Sequence, residues 1–166
     1  MKLILIRHAK SSWKDPDLPD HERPLKKRGR KAAPLIGRWL AERGHVPALA
    51  LVSTARRARE TWERIAPELP APVPAVFEPA LYHAAPELIL AVIRAAPAGD
   101  LAVVGHNPGI ADLAARLLAE PAEDPDFRRF PTAAAAVIEM PVGSWSEARE
   151  ASGRLIDFTT PRRLAD

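Results

Sequence analysis

The sequence predicts an α/β fold, a three-layer α/β/α sandwich built around a mostly parallel sheet and spanning residues 1–166 as a single domain. Three observations carry this reading. Short apolar runs recur at residues 2–6, 48–52 and 101–105 without polar alternation, the pattern of strands buried on both faces. Segments with apolar residues at helical spacing separate them, which argues for β-α-β units. Polar residues of chemical use follow each run, at strand carboxyl ends, where open α/β sheets hold their ligands.

The first strand, residues 2–6, runs into Arg7-His8-Ala9-Lys10-Ser11-Ser12-Trp13, so a guanidinium, an imidazole and the Ser11 hydroxyl cluster at its end. Residues 14–24 lack periodicity and hold three prolines, which predicts a long loop. Long loops in compact domains are usually functional. Ala32, Leu35, Ile36, Trp39 and Leu40 at helical spacing, closed by Gly44, predict a helix over about 26–43. Its beginning carries Lys26, Lys27, Arg28, Arg30 and Lys31, which the helix dipole disfavours there. The run reads either as a solvated face or as a patch for an acidic partner.

Residues 48–52 predict the second strand, and Ser53-Thr54 resembles an N-cap for a helix bearing Ala58, Trp62 and Ile65. Arg56, Arg57 and Arg59 fall in that helix's first turn. After a Pro-rich connection, residues 75–77 form a short strand and Leu81-Tyr82-His83 a loop. Pro86 then opens a helix carrying Leu88, Ile89, Val92 and Ile93. The strand at 101–105 ends at His106, with Asn107 as cap and Pro108 as first residue of the helix bearing Leu113, Ala114, Leu117 and Leu118. His106 thus lies beside a helix amino terminus, a setting that favours anions. Residues 133–140 predict a further core strand, 155–158 a late edge strand, and the chain from Pro161 a frayed end.

Composition narrows the function. With no cysteine, disulfides, thiolate catalysis and Cys-ligated zinc are excluded. Hydrophobic residues at 47% and charged residues at 27% are ordinary globular values. No apolar stretch approaches the roughly 18 residues of a membrane span. The first strand lacks a signal-peptide cleavage site, so a cytoplasmic protein without membrane contact is expected. A net charge of +3 and a pI of about 9.6 favour acidic ligands such as phosphates without demanding nucleic acid.

If the three strands are neighbours, Arg7, His8, Arg57 and His106 meet in one pocket, two guanidiniums and two imidazoles with no carboxylate among them. Such a pocket suits a phosphoryl group, which guanidiniums bind bidentately. A neutral imidazole held in one tautomer by a backbone carbonyl keeps Nε2 free to attack phosphorus, and His8 on its rigid strand end is the candidate. Arg7, Arg57 and His106 would stabilise the charge that develops on the phosphoryl oxygens.

These residues resemble the histidine phosphatase superfamily, with its phosphoglycerate mutase-like fold. Arg7-His8 stands where the Arg-His-Gly signature begins, with Ala9 in place of Gly. The segment from Ser53 to Thr61 is similar to Ser-Pro-x-x-Arg-Ala-x-x-Thr, with Arg57 and Thr61 in register and Thr54 in place of Pro. Val104-Gly105-His106-Asn107-Pro108-Gly109 resembles the third motif. The resemblance implies a phosphohistidine intermediate on His8, phosphate held by Arg7, Arg57 and His106, and neither metal nor cofactor.

The compact length, Arg23-Pro24-Leu25 and Phe130-Pro131-Thr132 look like the SixA-type phosphohistidine phosphatase branch. That branch implies a phosphorylated protein as partner and inorganic phosphate as product. The Glu proton donor that mutases carry after the third strand has no counterpart, and His83 and Glu87 are the two candidates near that place. Each also reads as an ordinary loop imidazole or helix-start carboxylate. The alternative within the superfamily is a phosphatase for small phosphate esters. A non-catalytic phosphate or RNA binder is the reading of another class, and it lacks aromatic residues for stacking on bases, since Trp39 and Trp62 fall on apolar helix faces.

Overall fold

The computed structural model describes residues 1–165. Its strands are β1 (Lys2–Arg7), β2 (Leu49–Ser53), β3 (Ala75–Glu78), β4 (Leu101–Gly105), β5 (Ala135–Glu139) and β6 (Arg154–Thr159). They form one sheet in the order β3-β2-β4-β1-β5-β6. The pairs β1/β4, β2/β4 and β2/β3 are parallel, whereas β5 and β6 run antiparallel to their neighbours.

Helices α1 (Lys27–Glu42) and α2 (Arg56–Ile65) pack on one face of the sheet, and α3 (Pro86–Arg94), α4 (Gly109–Leu117) and α5 (Pro125–Arg129) on the other. Strand β1 shows why its sequence is apolar throughout. Leu3 and Leu5 enter the core beneath α3 and α4, while Ile4 and Ile6 enter the core beneath α1 and α2. All four are at most 1% exposed. At about 1.5–3 kcal/mol for each such side chain, this central strand anchors both layers.

Register places the site. Arg7 pairs with Gly105, and the His8 amide donates to the Gly105 carbonyl at 3.0 Å. His8 and His106 therefore leave adjacent strands at the same level. Val52 pairs with Val104, which sets Ser53 at the end of β2 beside them.

Several local expectations are corrected. The N-cap of α2 is Ala55, not Ser53 or Thr54, because those hydroxyls are engaged with His106 and His21. Helix α4 begins at Gly109 after Pro108, and Asn107 does not cap it. The Asn107 amide instead donates to the carbonyls of Arg129 and Phe130, at 3.1 and 3.0 Å. Ala133 precedes β5 with a left-handed φ of 60°, its amide donating to the His8 carbonyl. Pro161–Leu164 form a short helix, α6, tied down by Arg163 on Asp124 and Asp126.

Candidate active site

The carboxyl ends of β1, β2 and β4 open into a cavity of about 320 Å³. Arg7, His8, Arg57 and His106 line it together. The His8 and His106 ring centroids are 5.2 Å apart, close enough to face one tetrahedral anion.

His8 is held as a rigid neutral base. Its Nδ1 donates to the Ala9 carbonyl at 2.7 Å, which leaves the lone pair on Nε2. Burial, with the charges of Arg57, Arg7 and Arg23 nearby, pushes its pKa down to about 3. The Ala9 amide donates to Thr61 Oγ1 at 2.9 Å, and that hydroxyl donates to the Arg57 carbonyl at 2.7 Å. Thr61 thereby couples the loop after β1 to the first turn of α2.

His106 shares a 2.7 Å hydrogen bond between its Nε2 and Ser53 Oγ, and its buried Nδ1 has no protein partner among the described residues. Burial first, then the neighbouring His8 and Arg57, pushes its pKa down to about 2. It is a neutral imidazole with one ring nitrogen left over for a ligand. The buried Nε atoms of Arg7 and Arg57 likewise lack partners.

The expectation of a pocket without carboxylates is corrected by Asp20. The long loop turns through one 3-10 helix (Asp20–Glu22) and brings that side chain onto Arg57 Nη2 at 3.0 Å. Arg23 Nε donates to its other oxygen, Oδ1, at 3.1 Å, and the Tyr82 hydroxyl donates to Oδ2, the oxygen that Arg57 holds. Burial alone would raise the Asp20 pKa, but these hydrogen bonds overcome it and hold the carboxyl well below the usual carboxylate range. Asp20 is thus a fixed anion that orders the cations, and it has no proton to give at neutral pH.

The structure separates the two donor candidates. His83 lines the cavity, with Nε2 at 3.2 Å from Arg57 Nη2 and 3.3 Å from Asp20 Oδ2. Glu87 is outside the cavity, 70% exposed on α3 and bound to Arg116 at 2.6 Å, which lowers its pKa. An ionised surface carboxylate in that position does not line the cavity that holds His8 and His106. Ser11 lines the cavity and accepts from Arg23 Nη1 at 3.0 Å.

Sequence reasoning missed Asp20, Arg23 as a site residue, Ser53 and Tyr82. Trp13, 73% exposed at the cavity mouth with the Arg23 guanidinium 3.4 Å over its ring, was also unassigned. The available signal was the unusual length of a proline-rich loop placed directly after the strand bearing Arg7 and His8.

Comparison with known proteins gives a consistent picture. The model of the histidine phosphatase superfamily (branch 1) matches residues 3–83. An uncharacterized protein of Mycobacterium tuberculosis is 36% identical over 168 residues, covering 95% of this chain and all of that protein. A structure from Nakamurella multipartitia described as a SixA phosphohistidine phosphatase superposes with a TM-score of 0.81 at 30% identity, covering 96% of this chain and 95% of that one. The Agrobacterium tumefaciens counterpart gives 0.78 at 29%, covering 96% and 97%.

Proposed function

Because this chain belongs to the histidine phosphatase superfamily, we propose that it is a phosphohydrolase acting on phosphohistidine in a protein, with His8 as the group that receives the phosphoryl. In the first step His8 Nε2 attacks phosphorus and the phosphorus–nitrogen bond of the substrate breaks. The departing imidazole takes the electron pair of that bond and leaves as the neutral ring, because its other nitrogen already carries a proton, and His8 carries the phosphoryl. In the second step water attacks phosphorus, the bond to His8 breaks, and inorganic phosphate leaves.

Arg7 and Arg57 neutralise the phosphoryl oxygens, and His106 donates from the nitrogen left over by Ser53. Oriented donors of this kind act where charge develops and need no rearrangement during the reaction. The observation that carries the reading is the state of His8, whose Nδ1 is occupied by the Ala9 carbonyl and whose burial keeps the ring unprotonated.

The substrate class follows from the leaving group. An alkoxide needs a general acid, whereas an imidazole carries a proton by itself near neutral pH. The one carboxylate lining the cavity among the described residues, Asp20, is held ionised by its three donors. His83 is then the remaining donor candidate for an ester, and a phosphoramidate does without one. The likeness to structures described as SixA phosphohistidine phosphatases supports the same choice.

Assays of one preparation on a histidine-phosphorylated protein and on phosphate monoesters test it. The expected outcome is a kcat/KM at least tenfold higher on the phosphohistidine substrate, and a preference for esters would contradict it. His8→Ala should lose all measurable turnover on either substrate.

A further inference from the structure

Two further cavities continue the candidate site across the surface. One of about 400 Å³ shares Arg7, Lys10 and Thr132 with the His8 cavity and extends to Arg28 and Arg162. Another of about 760 Å³ shares Arg28, Ala32, Pro161 and Arg162 with the second and adds Lys26, Lys27 and Lys31. Together they form one groove that leads from the phosphoryl site, along the beginning of α1, to α6.

The groove concentrates uncompensated positive charge. Elsewhere on the surface many arginines are paired, as Arg38 with Glu68, Arg43 with Asp157 and Arg116 with Glu87. Along the groove Lys10, Lys26, Lys27, Arg28, Lys31 and Arg162 have no acidic partner among the described residues. Asp126, the one carboxylate lining the outer cavities among the described residues, is already bound to Arg129 and Arg163. Lys27 and Lys31 stand one turn apart, a like-charge pairing that destabilises a helix. The first turn of α1 holds no acidic residue to offset its dipole. An anionic ligand would relieve both. Between the cations lie Ala32, Leu35 and Pro161, apolar surface that suits a polypeptide.

We propose that this groove docks an acidic segment of the phosphorylated protein, which lies along α1 and α6 while its phosphohistidine enters the His8 cavity. The proposal rests on the phosphohistidine reading above. Single-stranded nucleic acid fits the charge but not the surface, because among the described residues no aromatic side chain lines either outer cavity. A small phosphate ester would fill the His8 cavity alone and leave the groove without a use.

The test uses one histidine-phosphorylated peptide in two versions, flanked by Asp and Glu or by Ser and Gln, with the phosphoramidate ion as a substrate too small to reach the groove. The full chain should hydrolyse the acidic peptide with a kcat/KM at least tenfold above the neutral one at low salt, through KM. The preference should shrink in 0.5 M salt, about a 4 Å screening length. In an Arg28→Gln/Lys31→Gln/Arg162→Gln variant the two peptides should come within twofold of each other. Its rate on phosphoramidate should stay within about threefold of the parent, which also shows that it folds.

Equal kcat/KM for the two peptides in the parent, or an undiminished preference in the triple variant, would overturn the proposal. If the parent hydrolyses none of the three substrates, the phosphohistidine reading fails by itself. Fluorescence anisotropy of the unphosphorylated acidic peptide then decides the groove: weaker binding to the triple variant retains it and equal binding removes it. A single-stranded RNA of equal charge that displaces the acidic peptide at lower concentration would reassign the groove to nucleic acid.

Discussion

Gly29 lies in the first turn of α1, and a β-carbon built there would stand 2.2 Å from the Lys10 carbonyl oxygen and 2.9 Å from the Lys10 nitrogen. In an ordinary helix Gly→Ala stabilises by about 0.5–1 kcal/mol. Here the sign reverses. Ordinary contact begins near 3.4 Å, so Gly29→Ala requires a retreat of about 1.2 Å. Neither side yields easily, since both are backbone. The Lys10 carbonyl also accepts from the Lys26 amide at 3.0 Å, and Lys10 is two residues from His8. Overpacking of this kind costs about 1–3 kcal/mol. A displacement near 1 Å in a group that aims a nucleophile costs about a hundredfold in rate. Urea unfolding and kcat on phosphoramidate read the two effects in one preparation. A Gly29→Ala protein as stable as the parent, with full kcat, would refute the claim that this close approach sets the His8 loop.

Acid should destabilise the fold through the two imidazoles. Their pKa values are depressed to about 3 and about 2, so between there and the unfolded value near 6.5 the unfolded chain binds more protons and stability falls as pH falls. Thermal melts from pH 7 to pH 4 should show this fall, and a His8→Gln/His106→Gln protein should show a flatter profile. Ser53→Ala removes the 2.7 Å partner of His106, and should cost about 1 kcal/mol in urea unfolding and about tenfold in kcat. Trp145 is fully buried with its indole N–H donating to the Gly99 carbonyl at 2.9 Å. Trp145→Ala should therefore lose about 3–5 kcal/mol in the same unfolding assay. Chelation with EDTA should leave the rate on phosphoramidate unchanged, and a loss restored by a divalent cation would contradict a mechanism run by side chains alone.

Much of the fold was legible because each strand is a local pattern. The apolar run of β1 ends at Arg7 and that of β4 at Gly105, so the juxtaposition of His8 with His106 needed only that the two strands be neighbours. Strand direction is less visible. The run in β5 is buried from Ala135 to Ile138 and reads the same either way, and its connection to β6, residues 140–153, holds one 3-10 helix (Trp145–Glu147) and no crossover α-helix, so the two strands pair antiparallel. Asp20 was illegible because a loop carboxylate reveals its target only when Arg57 and Tyr82 come from two other segments to meet it beside Arg23 of its own loop. Glu87 misled for the complementary reason. Its position suited a donor, but Arg116 on α4, distant in sequence, holds it on the surface.

Trapping the phosphoenzyme measures the central claim most directly. After rapid mixing with a labelled phosphohistidine substrate and a denaturing quench at high pH, the label should remain on the protein, survive base, be lost in acid, and map to the peptide that contains His8. A label that survives acid, or that maps to a peptide without His8, would contradict the account.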